Sequence, residues 1–561
     1  MSHTASGDRP TGRLHGTRSR VCATHGVIAT SQSLASAAGL RVLQDGGNAV
    51  DAAVTAAAVL AVVEPTMTGV GGDLFALVRD GKSGALKALN SSGRAGTRAD
   101  ADALAARGMT SLPLHGPLTV TVPGSVAGWA ALLTAHGTIP LPRALAPAIG
   151  YAREGFPLSE IVAAQWEAVS PRLAMDPEAA RVLLPGGRAP ATGEVFRNPD
   201  LASTLEQIAS GGPDVVYKGP IGAAVATHVA SLGGFLTTPD FAAHRADWVE
   251  PISTTYRGRT VYELPPNTQG FVALEMLNIL EGYEVRAMGH NSADFLHVYS
   301  EAKRIAFADR AAYLADRDHV PAEVLGVLIS KEYAADRRTQ IDLRRAAASY
   351  DPAVLTAYVG RVPRSGAVET RHGPAEATER RGDTVYLAVA DRSGMVVSLI
   401  NSLFDSFGSG IVVPGTGIAL HSRGAGFTLA PGHPNRLAPG KRPAHTLVPA
   451  MLVDADSVTA FGVMGADNQA QAHAQVVVNM VDFDMDLQDA GEVARVRHFE
   501  EGLAVESGVS ESVCAALRAR GHAIHDGRGL MGGYQAARLN LRTGILEAGS
   551  DPRKDGLAIG W

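Results

Sequence analysis

The sequence predicts a mixed α/β protein of the α+β kind, with helices before strands. Three observations predict it. Helical patterns dominate as far as about residue 350. Beyond Thr384 the chain turns β-rich, with short apolar runs separated by Gly and Asp turns. The 561 residues are 46% hydrophobic and 19% charged, which is core-forming material for one large fold with insertions or for two or three domains.

In chain order, the first twenty residues carry Arg9, Arg13, Arg18 and Arg20 and no apolar stretch. They predict a disordered tail over 1–20 rather than a signal peptide, and hence a cytoplasmic protein. Residues 21–28 and 74–79 read as strands flanking an Ala-rich helical hairpin. Ser31 and Ser33 are its candidate caps, and Asp45-Gly46-Gly47-Asn48 is the break between its helices. The run Ala52–Val63 is too short to cross a bilayer and predicts a buried core helix. Gly69-Val70-Gly71-Gly72-Asp73 allows close backbone approach but lacks the Gly-Lys-Ser/Thr of a phosphate loop. Thr121 to Trp129 reads as a strand-to-helix junction, Ser253 to Leu264 as a strand, and Pro265-Pro266-Asn267-Thr268-Gln269-Gly270 as a turn. Helices are predicted over Val272–Glu281 and Ala302–Asp316. After Thr384, strands are predicted over 385–390, 395–400, 447–453 and 459–464, and a helix over about 468–482.

Composition excludes several function classes. Fifty basic and 56 acidic residues give a net charge of −6 without a basic stripe, so no nucleic-acid partner is expected, and no membrane partner either. Two cysteines, Cys22 and Cys514, make neither a disulfide framework nor a metal cluster, and no His-Glu-x-x-His occurs. No metal and no cofactor are therefore expected.

The chemistry points to one threonine. Residues 361–383 are crowded with charge and almost without apolar anchors, as in a mobile loop. The stretch ends in Gly382-Asp383, and an apolar run starts directly after Thr384. Cleavage between Asp383 and Thr384 would place a new α-amine beside the Thr384 hydroxyl. Such an amine titrates near ~8 and can act as the base for its own side chain. The same run also suits an ordinary strand residue.

Five blocks then occur in order: Gly47-Asn48-Ala49-Val50-Asp51-Ala52-Ala53 leading to Glu64-Pro65; Gly69-x-Gly71-Gly72-Asp73-x-Phe75; Pro123-Gly124-x-Val126-x-Gly128-Trp129; Ala306-Phe307-Ala308-Asp309-Arg310-x-x-Tyr313-Leu314-x-Asp316; and Gly382-Asp383-Thr384 through Phe407-Gly408-x-Gly410. Together they resemble the γ-glutamyltranspeptidase (glutathione hydrolase) family of N-terminal nucleophile hydrolases. The resemblance implies a four-layer αββα sandwich and a precursor that cuts itself before Thr384. It implies a large subunit (21–383 after the tail) and a small subunit (384–561), paired as one intertwined heterodimer that acts on a small molecule. Further oligomerisation is left open. Thr384 would be the nucleophile, Ser402 its orienting partner, and Gly465 and Ala466 the oxyanion donors.

The resemblance is incomplete where the family holds a glutamyl group. Family arginine and asparagine positions fall on Ser92 and Phe404, with Arg94 two residues beyond the first and Asn401 close to the second. The positions that hold the donor's α-carboxylate and α-ammonium fall on Arg423 and Gly426, and two serines fall on His445 and Thr446. Gly426 cannot pair an ammonium, whereas Arg423 suits a carboxylate. The substrate-binding residues expected are thus Arg94, Asn401, Phe404, Arg423, His445 and Thr446, around a small anionic acyl group without an amine. Asn90 to Ala95, Pro265 to Gly270 and Gln469 to His473 are similar to the acylase and oxamate amidohydrolase branch. Some relatives there are associated with antibiotic pathways and remove an oxalyl group by cutting a C–C bond. The alternatives are glutathione hydrolase or transferase proper, with Asp405 as substitute carboxylate, and a non-catalytic scaffold.

Overall fold

The computed structural model describes residues 18–355, 358 and 383–561. The expected tail lies outside these residues apart from 18–20, and the expected loop over 361–383 lies outside them apart from Asp383.

Two seven-stranded antiparallel sheets face each other. Their strands are β1 (Val21–Ala23), β2 (Gly26–Thr30), β3 (Asp73–Arg79), β4 (Leu86–Ser91), β5 (Asp247–Val249), β6 (Ile252–Tyr256), β7 (Arg259–Glu263), β8 (Asp383–Asp391), β9 (Val396–Phe404), β10 (Ala450–Val453), β11 (Ser457–Val463), β12 (Tyr534–Asn540), β13 (Leu546–Ser550) and β14 (Leu557–Gly560). The first sheet runs β14-β2-β8-β9-β3-β4-β5 and the second β1-β13-β12-β11-β10-β7-β6. Phe75, Leu77, Tyr386, Ala388 and Ile400 of the first sheet meet Met451, Ala460 and Ala537 of the second.

Helices cover both outer faces. On the first sheet lie α1 (Ser33–Gln44), α2 (Ala49–Val63), α3 (Ser125–His136) and α4 (Leu141–Glu154). On the second lie α5 (Gly270–Leu280), α6 (Ala293–Tyr313) and α7 (Asn468–Val481). Every residue of α2 is buried, which accounts for its nearly uninterrupted apolar sequence. The architecture is the four-layer αββα sandwich. Among the described residues no helix is long and apolar enough to cross a membrane.

Several sequence expectations move. The expected strand over 21–28 is two strands, one in each sheet. The first helix is capped by Gln32, whose side chain accepts from the Leu34 N–H, while Ser31 donates to Glu64 at 2.6 Å. Asn48 caps α2 with a reciprocal bond from Asp51. The helix expected from Ala302 starts nine residues earlier, at Ala293, where Ser292 accepts from the Phe295 N–H. The strand expected over 447–453 is confined to Ala450–Val453, because Pro449 has no N–H to give a ladder. The three C-terminal strands β12 to β14 and the short β5 were not anticipated.

Candidate active site

The site lies where β8 and β9 end between the two sheets. Alternation along β9 sends Ile400 and Ser402 inward and Asn401 outward. Ser402 pairs in register with Asp73 of β3. Gly72, just before β3, must be glycine because a Cβ there would stand 2.6 Å from the Ser402 carbonyl oxygen. On the neighbouring strand the register slips between Asp383 and Val385, so Thr384 occupies an irregularity at the mouth of β8.

Thr384 is 1% exposed, and its hydroxyl donates to Ser402 Oγ at 3.1 Å. Ser402 Oγ also accepts from the Phe404 N–H at 2.7 Å and from Arg423 Nη2 at 3.3 Å. Arg423 Nη1 donates to Thr446 Oγ1 at 3.1 Å, and its guanidinium lies 4.2 Å from the centre of the Phe404 ring. Five expected residues, Thr384, Ser402, Phe404, Arg423 and Thr446, are thus brought into one contact network.

Arg423 is the unusual member. It is 1% exposed, and among the described residues no carboxylate lies within ion-pair distance of it. Its side-chain partners are two hydroxyls and an aromatic face, and its Nε is buried without a partner. Burial lowers the guanidinium to about 9, against weaker opposing attraction from Asp73 and Asp467.

Behind it stands Asp73, fully buried. Burial raises its carboxyl, but His421, His445 and Arg423 outweigh that and hold it well below the usual carboxylate range. Burial, with Arg423 adding to it, lowers His445 to about 3. His421 is likewise lowered by burial. Both histidines are therefore neutral at pH 7, and Arg423 carries the lasting positive charge. His445 Nδ1 accepts from the Leu447 N–H, which leaves Nε2–H to donate to Asp73 at 3.1 Å. His421 Nδ1 accepts from the Arg423 N–H at 3.0 Å. The expected binder His445 is thus a prop of Asp73. Asn401 faces the helical layer, donating to Ser125 Oγ at 2.9 Å and to the Asp73 carbonyl at 3.1 Å.

Gly465 and Ala466 form the turn from β11 into α7, with φ of 129° and 50°. Among the described residues neither spends its backbone N–H on an acceptor. Two free N–H groups beside a helix N-terminus suit an anionic oxygen. Arg94 lies elsewhere. It pairs with Asp316 at 3.2 Å and with the Gly440 carbonyl at 3.1 Å, and among the described residues it shares no hydrogen bond or ion pair with the network. Asp405, the candidate ammonium partner, is held by Arg172 at 2.8 Å and His115 at 2.6 Å. Sequence reasoning did not assign Gln269, whose side chain donates to the Thr446 and Ala466 carbonyls. Its place in a motif block was the only signal. Among the described residues no group of acidic, His or Cys side chains could hold a metal.

Comparison with known proteins gives the family. The γ-glutamyltranspeptidase family model matches residues 35–561. The glutathione hydrolase-like YwrD proenzyme of Bacillus subtilis is 36% identical, over 96% of this chain and 99% of its own. The oxamate amidohydrolase proenzyme of Klebsiella pneumoniae is 35% identical over the same shares. The crystal structure of cephalosporin acylase from Bacillus halodurans superposes with a TM-score of 0.88 at 39% identity, covering 97% of each chain. The chain belongs to the γ-glutamyltranspeptidase family and is a hydrolase of N-terminal nucleophile type.

Proposed function

We propose that the protein is a precursor that cuts itself between Asp383 and Thr384 and then hydrolyses an amide next to a small, carboxylate-bearing acyl group such as oxalyl. The observation that supports the substrate class is Arg423, a buried cation with a free Nε and, among the described residues, no carboxylate partner, one hydroxyl away from Thr384. A carboxylate on the acyl group completes the missing pair. A γ-glutamyl donor fits less well, because its ammonium needs an acidic partner and Asp405 is already engaged twice.

In processing, Thr384 Oγ attacks the Asp383 carbonyl, the Asp383–Thr384 C–N bond breaks, and an ester forms as the nitrogen takes the proton. Water hydrolyses the ester, leaving the Asp383 carboxylate and the Thr384 amine. In turnover that amine takes the Oγ proton as Oγ attacks the substrate carbonyl. The oxyanion develops towards the Gly465 and Ala466 N–H groups. The amide C–N bond breaks, the proton passes to the leaving amine, and water releases the acid from acyl-Thr384.

The test is a denaturing gel with mass spectrometry of the active protein. The 58.2 kDa chain should give way to two bands, one about twice the mass of the other. An oxalyl amide should leave a transient oxalyl label on Thr384. Active protein with an intact backbone through Thr384, or a Thr384→Ala variant with full turnover, overturns the proposal.

A further inference from the structure

Gln269 immediately precedes α5 but does not cap it; its side chain makes no bond to that helix. The wholly buried amide instead reaches across to the site. Nε2 donates to the Thr446 carbonyl at 2.9 Å and to the Ala466 carbonyl at 3.2 Å. The turn is fastened to the same segment along its backbone: Gln269 N–H donates to the His445 carbonyl at 3.1 Å, and His445 N–H to the Asn267 carbonyl at 2.8 Å. Asn267 Nδ2 adds a bond to the Pro443 carbonyl at 2.8 Å.

Both amide hydrogens of Gln269 are thus used, while its Oε1 is buried without a partner. An unsatisfied buried acceptor costs about 1–3 kcal/mol. Turning the amide over would set that oxygen against two carbonyl oxygens, so the two N–H donors hold the orientation. What they grip is strained. Ala466 has φ of 50°, a left-handed conformation that costs a residue with a Cβ about 1–2 kcal/mol. Such conformations persist only where several contacts enforce them. The Ala466 carbonyl has two, from Gln269 Nε2 and from the Gln469 N–H at 3.2 Å. The other carbonyl gripped belongs to Thr446, whose hydroxyl holds Arg423.

We infer that Gln269 is a positioning residue for the oxyanion-binding turn, locking the Gly465-Ala466 N–H pair in register with Arg423 through Thr446. It touches no reacting atom. The inference rests on the Thr384 reading above.

The test compares Gln269→Met, which keeps the bulk and loses both donors, with Gln269→Glu. The readouts are kcat, KM, affinity for a phosphonate that mimics the attacked carbonyl, and the unfolding midpoint. Gln269→Met should lower kcat roughly 10- to 100-fold, below the loss of a direct oxyanion donor. KM should stay within about twofold. Phosphonate affinity should fall by the same factor as kcat/KM. Gln269→Glu should show the same loss at pH 8 and regain activity relative to wild type as the pH falls, because only the protonated acid can donate. A Gln269→Met enzyme with wild-type kcat, or one with reduced kcat and unchanged phosphonate affinity, overturns the inference. If Gln269→Met does not fold, a pH-independent ratio for Gln269→Glu overturns it instead. An active Thr384→Ala variant defeats the parent reading. An inactive Thr384→Ala beside an unimpaired Gln269→Met defeats this inference alone.

Discussion

Replacing Arg423 by methionine should separate stability from activity. Burial takes the guanidinium from 12.5 to about 9. At ~1.36 kcal/mol for each tenfold change, the charged form bears about 5 kcal/mol in the substrate-free site. The hydrogen bonds to Ser402 and Thr446 offset roughly 3–6 kcal/mol, at about 1.5–3 kcal/mol for each bond from a charged donor. Methionine removes both terms and keeps contact with the Phe404 ring, so unfolding free energy should lie between about 1 kcal/mol lower and about 2 kcal/mol higher. Activity should behave in the opposite way. A substrate carboxylate entering the site would lose its buried cation, a loss of about 3–5 kcal/mol, so kcat/KM should fall roughly 10²- to 5 × 10³-fold. Denaturant unfolding and steady-state kinetics on an oxalyl amide measure the two quantities. A variant that loses more than about 2 kcal/mol of stability yet keeps kcat/KM within a few fold would show that Arg423 is a strut, and the argument for an anionic acyl group would fail.

Three further outcomes are expected. Ser402→Ala removes the acceptor of the 3.1 Å bond from Thr384, so both self-cleavage and kcat should slow roughly 10-fold or more, with KM little changed; a gel time course and kinetics check this. His244, stacked on Tyr217, is lowered from 6.5 to about 4, chiefly by burial and then by Arg442. The unfolded chain therefore binds a proton there that the folded chain refuses, and this histidine's contribution to stability falls as pH drops from 6.5 towards 4. The stability of wild type relative to His244→Phe should decline by about 3 kcal/mol across that window, measured by denaturant unfolding at each pH; a flat difference contradicts the assignment. Finally, Asp405→Asn should leave kcat/KM for an oxalyl amide within a few fold, because Asp405 is occupied by Arg172 and His115 rather than by substrate.

Much of the frame was legible because it is written locally. The apolar run after Thr384 gives β8, the break at Asp45-Gly46-Gly47-Asn48 gives the start of α2, and the glycine cluster before Asp73 marks a close approach to β9. The placement of Thr384 beside Ser402 followed from motif order and holds geometrically, at a separation of eighteen residues across one hairpin. What was not legible depends on partners far away in sequence. Arg94 and Arg423 look alike as residues, yet one meets Asp316, 222 positions on, and the side chain of the other, among the described residues, meets hydroxyls and a ring. His445 suggested binding, but a carboxylate 372 positions earlier claims it. Gln269 gave no signal beyond its place in a motif block, because its role is to hold two backbone carbonyls, and backbone acceptors leave no trace in a sequence.

The way the strands alternate has a practical consequence for maturation. The stretches before and after Thr384 each supply strands to both sheets, and β8 and β9 are zipped between β2 and β3. Neither piece owns a finished sheet, so neither is a foldable product by itself. Severing the backbone would therefore be an edit made to an assembled object. Mixing separately expressed fragments should yield aggregates, and once heat unravels the mature pair, cooling should not restore it.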